Sequence, residues 1–396
     1  MLAVSKKLIR TFLWVLIKPL LVFFKIITKY KVVIWRVDRL GHLALNTHLF
    51  LIRRKLRGDK RKFLILSPSK NNKSIANKTL WGMFLILFKS ELNIKTMCST
   101  SIYHVADFFK YELRLIGLSS PMRMDSKEKE FLLGVETVTF NREQQKYGDR
   151  LIDSMPIPKN KEIVTIFARD SSFLDNYFPE IDWSYHSYRD CDIVTYIDAI
   201  KFLIERGYVV IRIGSEFSKT LDLQHENFFE YSLSDFKSSF LDLYLVYKSK
   251  FVIGSTSGAT DIAVVFNVPF LGVNYAPFVE SPLGKNDLFI QKKLTDNKHI
   301  IPFKDIVSDE RYYSYNGNEM KSKYGLSYID NTNEEILNAT KEMHDKIASN
   351  RQFNREQENL IQRYQNDYCR KNKWSSRPAP ISLGWLKDNQ NLYLQE

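Results

Sequence analysis

The stretch FVIGSTSGATDIAVVFNVPFLGVN, residues 251–274, decides the fold. Phe251–Gly254 is a short apolar run that reads as a buried strand. Gly254-Ser255-Thr256-Ser257-Gly258 is a turn of small residues. Thr260–Phe266 is spaced as a short helix, and Phe270–Val273 is a second apolar strand. Strand, tight turn, helix and strand make the β-α-β unit of a parallel sheet. Such a turn lets backbone N–H groups cradle a phosphate, although similar turns are common connectors. It lacks the Lys of a Walker loop and the spacing of a dinucleotide fingerprint.

The same alternation extends in both directions. Upstream, Ile163–Ala168 and Tyr208–Ile213 read as strands. Ile193–Glu205 and Asp235–Tyr247 read as helices, the first stopping at Gly207. Downstream, Glu334–Ile347 is a helix with Thr332 and Glu335 spaced as a capping box. Arg351–Arg370 is a long polar helix. Pro156 and Pro158, with the lysines after them, form the best linker in the chain.

Before that linker the pattern occurs once more. Lys31–Val37 and Phe63–Leu66 read as strands; Ala44–Leu56, Lys78–Phe88, Tyr103–Leu113 and Asn141–Ser154 read as helices. The expected fold is therefore α/β, with two Rossmann-like domains facing across a cleft. The expected boundaries are 31–155 for the first domain and 160–350 for the second, with a carboxyl-terminal helix and tail over 351–396. A length of 396 residues suits two domains.

Residues 1–62 hold sixteen Lys or Arg and two acids, so the excess of 58 basic over 45 acidic residues is concentrated there. A protein that grips nucleic acid along its length spreads its basic surface, so nucleic acid is not the expected partner. A localised basic segment suits an anionic membrane surface. Residues 1–30 are apolar but interrupted by lysines, too often for a span of about 20 residues. On a helix Lys7, Lys18, Lys25 and Lys29 fall within roughly 40° of one another. The expectation is an amphipathic helix lying on the membrane, kinked at Pro19, with packing on its own domain as the plain alternative. No small-residue cleavage site is evident. Cys98, Cys191 and Cys369 form no C-x-x-C pair, which argues against a disulfide framework or a thiolate zinc site.

Ligands of open α/β sheets bind beyond the carboxyl ends of the strands. After the first strand come Asp38, Arg39, Gly41 and His42. Gly41 permits a tight turn or a close ligand approach, and His42 is the one group there that titrates near neutrality. Asp38 either orients the imidazole or is itself the base; a structural hydrogen bond is the plain alternative for His42. Arg169 follows the strand at Ile163, as a phosphate fork or as the partner of Asp170. Arg189 precedes Asp190 and Asp192, either of which can cap the next helix. Asp-x-Asp also occurs as a metal pair in sugar transferases of another fold, but capping explains these acids, and no metal site is expected. Arg212 lies inside an apolar strand ending at Gly214 and Ser215, and needs either an anion or an internal ion pair. Ser255, Thr256, Ser257 and Gly258 form the turn, and Asn274 offers an amide after the next strand.

The stretches from Arg36 to His42, Arg169-Asp170-Ser171-Ser172, Tyr188-Arg189-Asp190, Val210–Gly214, Gly254–Gly258, Pro269–Asn274, Asn331–Ile336 and Glu342-Met343 resemble a family of bacterial glycosyltransferases found with genes for surface polysaccharides. The resemblance covers most of residues 31–347. It implies a GT-B-like fold, an acceptor domain followed by a nucleotide-sugar donor domain, and no metal or other cofactor. The family has Asn after the arginine where this chain has Asp190. The expected partners are a nucleotide-sugar donor, a glycan or lipid-linked acceptor and an anionic membrane, at the cytoplasmic face of the inner membrane. The residues suit that chemistry: Arg169, Arg189, Arg212 and the Ser255–Gly258 turn can neutralise a departing diphosphate, and His42 can take a hydroxyl proton. The alternative is a non-catalytic nucleotide-sugar or polysaccharide-binding subunit.

Overall fold

The computed structural model describes residues 19, 30–91, 93–108, 116–117, 130, 133–177, 179–214, 219–278, 280–284, 286–349, 354–371 and 379–393. The amphipathic helix expected over residues 1–30 lies almost wholly outside them. The chain forms two compact units, Met1–Met122 and Arg123–Glu396.

The first unit contains strands β1 (Lys31–Ile34), β2 (Phe63–Ser67), β3 (Ile94–Cys98) and β4 (Ile116–Gly117). All pairs are parallel, in the order β3-β2-β1-β4. Its helices are Thr47–Leu56, Lys78–Ser90 and Thr100–Phe108, the first entered through a π-helical turn at His42–Asn46. Two buried tryptophans organise the core, with ring centroids 6.3 Å apart. Each indole N–H is satisfied: Trp35 donates to Thr47 Oγ1 and Trp81 to Ser67 Oγ, both at 2.8 Å. A buried tryptophan needs such a partner, which is why these two positions carry hydroxyl residues.

The second unit contains β5 (Ile163–Phe167), β6 (Val209–Arg212), β7 (Phe228–Glu230), β8 (Ser249–Gly254), β9 (Phe270–Tyr275) and β10 (Leu288–Gln291). They form one sheet in the order β10-β9-β8-β5-β6-β7, every pair parallel. Counted within the unit, this is the doubly wound order 3-2-1-4-5-6. A separate antiparallel ribbon joins β11 (Lys293–Thr295) to β12 (Ser327–Ile329). Gly254 closes β8 where any Cβ would meet the Phe167 ring at 2.3 Å, so only glycine lets β5 and β8 end side by side. The capping box of the helix Asn333–Ser349 forms as expected, Glu335 N donating to Thr332 Oγ1 and Thr332 N to Glu335 Oε2.

Three differences from the sequence reading have physical causes. The boundary expected at Pro156–Pro158 falls instead at Met122, because the helix Arg142–Ser154 packs within the second unit. Tyr244 donates to Gln145 O and Asp149 Oδ1, and its ring occupies the space a side chain at Gly148 would need. Strands β3, β7 and β10 were not expected; the first is an edge strand with exposed residues, and the others span only three and four residues. The carboxyl-terminal tail belongs to the sheet: Ser382 N donates to Phe289 O, and Phe289 N to Pro380 O. Glu342 holds the tail, accepting from Ser382 Oγ, Leu383 N and Gly384 N.

His48 is 3% exposed, and burial holds its imidazole down to about 4. The unfolded chain therefore binds a proton between about pH 6.5 and 4 that the folded chain refuses, so stability falls as pH drops through that window. The loss from this group should approach about 3 kcal/mol. Chemical denaturation of His48→Leu across the window should show a flatter pH dependence than the parent; parallel curves would exclude His48 as the cause.

Candidate functional site

β5 lies between β6 on one side and β8 on the other, so connections leaving β5 and β8 diverge to opposite faces. A crevice beyond their carboxyl ends is the ligand position of doubly wound sheets. The two strand ends are tied there: Arg169 N donates to Ser255 Oγ at 3.0 Å. Cys191 N donates to Arg169 O at 3.0 Å, which brings the 3₁₀ turn Ser184–Arg189 and the residues after it to the same place.

The Arg169 guanidinium donates to His186 O and to the Asp190 carboxylate. Asp190 is therefore its ionic partner, while Asp170 accepts from Ser172 N. Burial, then the neighbouring positive charge of Arg189, bring Arg169 down to about 10, still protonated at neutral pH. Arg189 lies 5.7 Å over the Tyr188 ring, and its buried Nε has no hydrogen-bond partner. Close by, burial pushes the Glu280 carboxyl up to about 7, with the Arg189 charge opposing the shift. Two guanidiniums close enough to depress one of them make a site that an anion would stabilise.

Beside them is a cavity of about 380 Å³, lined by Ala168, Asp170, Asp190, Cys191, Asp192, Ile193, Arg212, Lys219 and Asp330. Its volume lies within the range of small-molecule sites, about 300–1,000 Å³. Four carboxylates face two cations, so the cavity suits groups that donate hydrogen bonds. The charges are largely paired: Asp192 with Lys219 at 2.6 Å, and Asp330 with Lys292 at 2.7 Å. Lys292 is almost fully buried and also donates to Asp190 O. Asp192 caps the turn at Ile193, accepting from Val194 N, as its position suggested. No cluster of metal-ligating side chains occurs among the described residues.

Several expected ligand residues also make contacts within the fold. Arg212 is 1% exposed and forms the internal ion pair, with Glu230 at 3.0 Å, while it also lines the cavity. Glu230 in turn accepts from Leu221 N. Asn274 is fully buried with φ of 51°, and exchanges two 2.6 Å hydrogen bonds with Asn331, side-chain oxygen to backbone N–H each way. This clamp between β9 and the Asn331 loop removes its oxygen from any ligand. Ser255 and Thr256 are buried, Thr256 accepting from Ala276 N. Ser257 and Gly258 are half-buried, and Ser257 Oγ accepts from Ala259 N. The turn can therefore still offer a ligand its backbone and the hydroxyl hydrogen of Ser257. Gly214 has φ of 152°, and its carbonyl accepts from Ser232 Oγ and Lys237 Nζ. Ser215 lies outside the described residues.

In the first unit, Gly41 is helical, with φ of −60°, and not the tight turn expected. His42 therefore sits one residue into a helix and is half-buried. Its Nδ1 lies 3.4 Å from Asn46 Nδ2. Asp38 faces Arg36, with Nε to Oδ1 at 3.4 Å. The orienting contact is thus made by Asn46, a helical turn away, and not by Asp38. Burial first, then Arg36, lower the His42 pKa from its ordinary value, with Asp38 opposing. Arg39 is half-buried on the same turn.

The sequence reading missed Lys292, Glu280 and Lys219. Lys292 follows a strand too short to be recognised, and Glu280 and Lys219 lie in loops without a motif.

No protein-family profile and no curated protein matches the chain. Among solved structures, ADP-heptose lipopolysaccharide heptosyltransferase II of E. coli is similar over 66% of this chain and 90% of that chain, at 13% identity and a TM-score of 0.38. A glycosyl transferase family 9 protein of Veillonella parvula is similar over 66% and 86%, at 10% identity and a TM-score of 0.38. An E. coli heptosyltransferase solved with ADP-2-deoxy-2-fluoro heptose covers 66% and 92%, at 11% identity and a TM-score of 0.31. Likeness at this level decides nothing about activity, which this chain's own residues must support.

Arg212→Ala leaves the Glu230 carboxylate without its cation beside a buried strand. Breaking a buried pair costs about 3–5 kcal/mol. Urea unfolding should show that loss. A variant of normal stability with weakened nucleotide binding would return Arg212 to the ligand site.

Proposed function

We propose that the protein is a glycosyltransferase that moves a sugar from a nucleotide-sugar donor to a growing surface glycan or lipid-linked acceptor. The observation that carries this reading is the doubly wound second sheet, whose switch point is closed by Arg169 N and Ser255 Oγ. The donor binds the second unit there. Its diphosphate lies against Arg169, Arg189 and the backbone of the Ser257–Gly258 turn. The carboxylates of the neighbouring cavity accept hydrogen bonds from hydroxyls of the ribose or the transferred sugar. The acceptor binds the first unit, with His42, Asp38 and Arg39 beyond β1. The reaction takes place at the cytoplasmic face of the inner membrane.

Transfer develops positive charge on the sugar and negative charge on the departing diphosphate. The guanidiniums stabilise the second and supply the charge that the reading requires without a metal. The acceptor hydroxyl must lose a proton as the new bond forms. A His42 pKa below its ordinary value leaves the ring neutral at pH 7, as a general base must be. With Asn46 Nδ2 at 3.4 Å from Nδ1, the amide donates and the ring proton sits on Nε2; turning the amide so that its oxygen takes Nδ1–H is what would free Nε2 to accept.

Thermal melting with a panel of UDP-, GDP-, CMP- and ADP-sugars tests donor binding, since a ligand at 100 times its Kd adds about 2.7 kcal/mol. Arg169→Lys should weaken the responding nucleotide at least tenfold, through loss of a charge-assisted bond of about 1.5–3 kcal/mol. No response to any nucleotide sugar would end the reading. Binding without release of free nucleotide would replace the enzyme by a binding subunit.

His42→Ala should lower turnover by roughly 10²–10⁴ with donor affinity nearly unchanged. A base with a lowered pKa is active above that pKa, so kcat/KM should stay flat near pH 7 and fall only below about 6.5. Asp38→Asn separates the two candidates: a loss greater than that of His42→Ala makes Asp38 the base.

A further inference from the structure

We propose that the edge of the first unit formed by the amino ends of β1, β2 and β3 docks onto a lipid bilayer with anionic headgroups. Parallel pairing gathers those ends: Lys31 is in register with Phe63, and Phe63 with Ile94. Lys31, Lys62 and Lys95 therefore share one edge, opposite the strand ends that lead to Asp38 and His42. The loop from the carboxyl end of the helix Thr47–Leu56 into β2 adds Lys55 and Lys60. All five lysines are exposed.

The edge is built rather than loose. Arg54, with its side chain 8% exposed, donates to Arg61 O at 3.1 Å. The guanidiniums of Arg54 and Arg61 lie 5.7 and 5.6 Å from the Phe63 ring. The acids here are already engaged: Asp59 accepts two hydrogen bonds from Arg61 Nε at 2.8 Å, and Glu91 faces Arg54 at 3.6 Å. None of the five lysines forms an ion pair among the described residues. Lys62 and Lys95 instead converge on one ring, with their ammonium groups 5.8 and 5.3 Å from Tyr30. Like charges gathered where the acids are already engaged by arginines call for an external polyanion.

Cations at a helix carboxyl end also complement the helix dipole. That accounts for Lys55 but not for Lys31, Lys62 and Lys95, which stand at strand starts. The choice of bilayer over nucleic acid rests on an apolar side chain set among the lysines: Leu56 is 49% exposed beside Lys55. Such a side chain enters the headgroup layer, while a sugar-phosphate backbone offers it nothing. Residues 2–29, which run into this edge at Lys31, mix apolar and basic residues in the same way. The inference needs no sugar transfer and is tested without a donor.

The experiment is sedimentation of the full chain with vesicles of phosphatidylcholine, alone or mixed with phosphatidylglycerol. Each lysine near an anionic surface contributes a factor of about five. Lys31→Ala/Lys60→Ala/Lys62→Ala in the full chain should therefore bind mixed vesicles about a hundredfold more weakly, with unchanged melting. Lys55→Ala/Lys95→Ala should lose about 25-fold and serves if the triple variant melts early. Leu56→Ser should weaken binding with the salt dependence kept. Parental binding by both lysine variants would overturn the proposal, as would equal binding to pure phosphatidylcholine. Tighter binding of the parent to labelled duplex DNA than to mixed vesicles at physiological salt would assign the edge to nucleic acid instead.

Discussion

The hydrogen bond from Arg169 N to Ser255 Oγ spans the point on which the second unit depends. Parallel strands whose connections diverge leave backbone groups facing a gap at their carboxyl ends. Here one buried hydroxyl fills that need, and Gly254 lets β5 approach closely enough for it to do so. Arg169, Asp190, Cys191 and the cavity beyond are all arranged around that tie. A bulkier residue at 254 would push Phe167 away and separate the groups that the crevice brings together.

Most charged side chains of this region meet partners within the fold. Arg212, Asn274 and Lys292 are buried and have partners: Glu230, Asn331 and Asp330. A buried charge without such a partner costs several kcal/mol, so these residues hold loops to the sheet. Arg169 has partners as well, His186 O and Asp190, and Arg189 stands near it. They are near enough for one to lower the pKa of the other, and Arg189 keeps a buried Nε with no partner. Asn274 Nδ2, like Arg189 Nε, is buried without a hydrogen-bond partner, so this property alone does not separate a ligand site from a support.

The first unit divides its surface in a related way. The carboxyl ends of its strands lead to a half-buried His42 whose pKa burial lowers. The amino ends carry lysines whose nearby acids are already engaged by arginines. Because parallel strands send all their amino ends to one edge, a basic segment spread along the sequence becomes a single surface.

The alternation of apolar runs and helical spacing was enough to determine an α/β chain with parallel sheets, since most strands buried on both faces leave an apolar run; β10, buried but only four residues long, did not. Capping at Thr332 was equally legible, because capping is local. The strand-end rule also directed attention to Arg169 and Ser255, which a hydrogen bond joins in the structure. What pairing partners decide was not legible. Whether Arg212 meets an anion or Glu230 depends on β7, a three-residue strand with no periodicity to reveal it. Asn274 resembled a ligand amide until Asn331, 57 residues later, met it across the sheet. The unit boundary moved because Tyr244 seats on Gly148, a long-range contact that no linker composition reports. Local propensity and periodicity reside in the sequence; the partner of a buried charge is chosen only when the chain closes on itself.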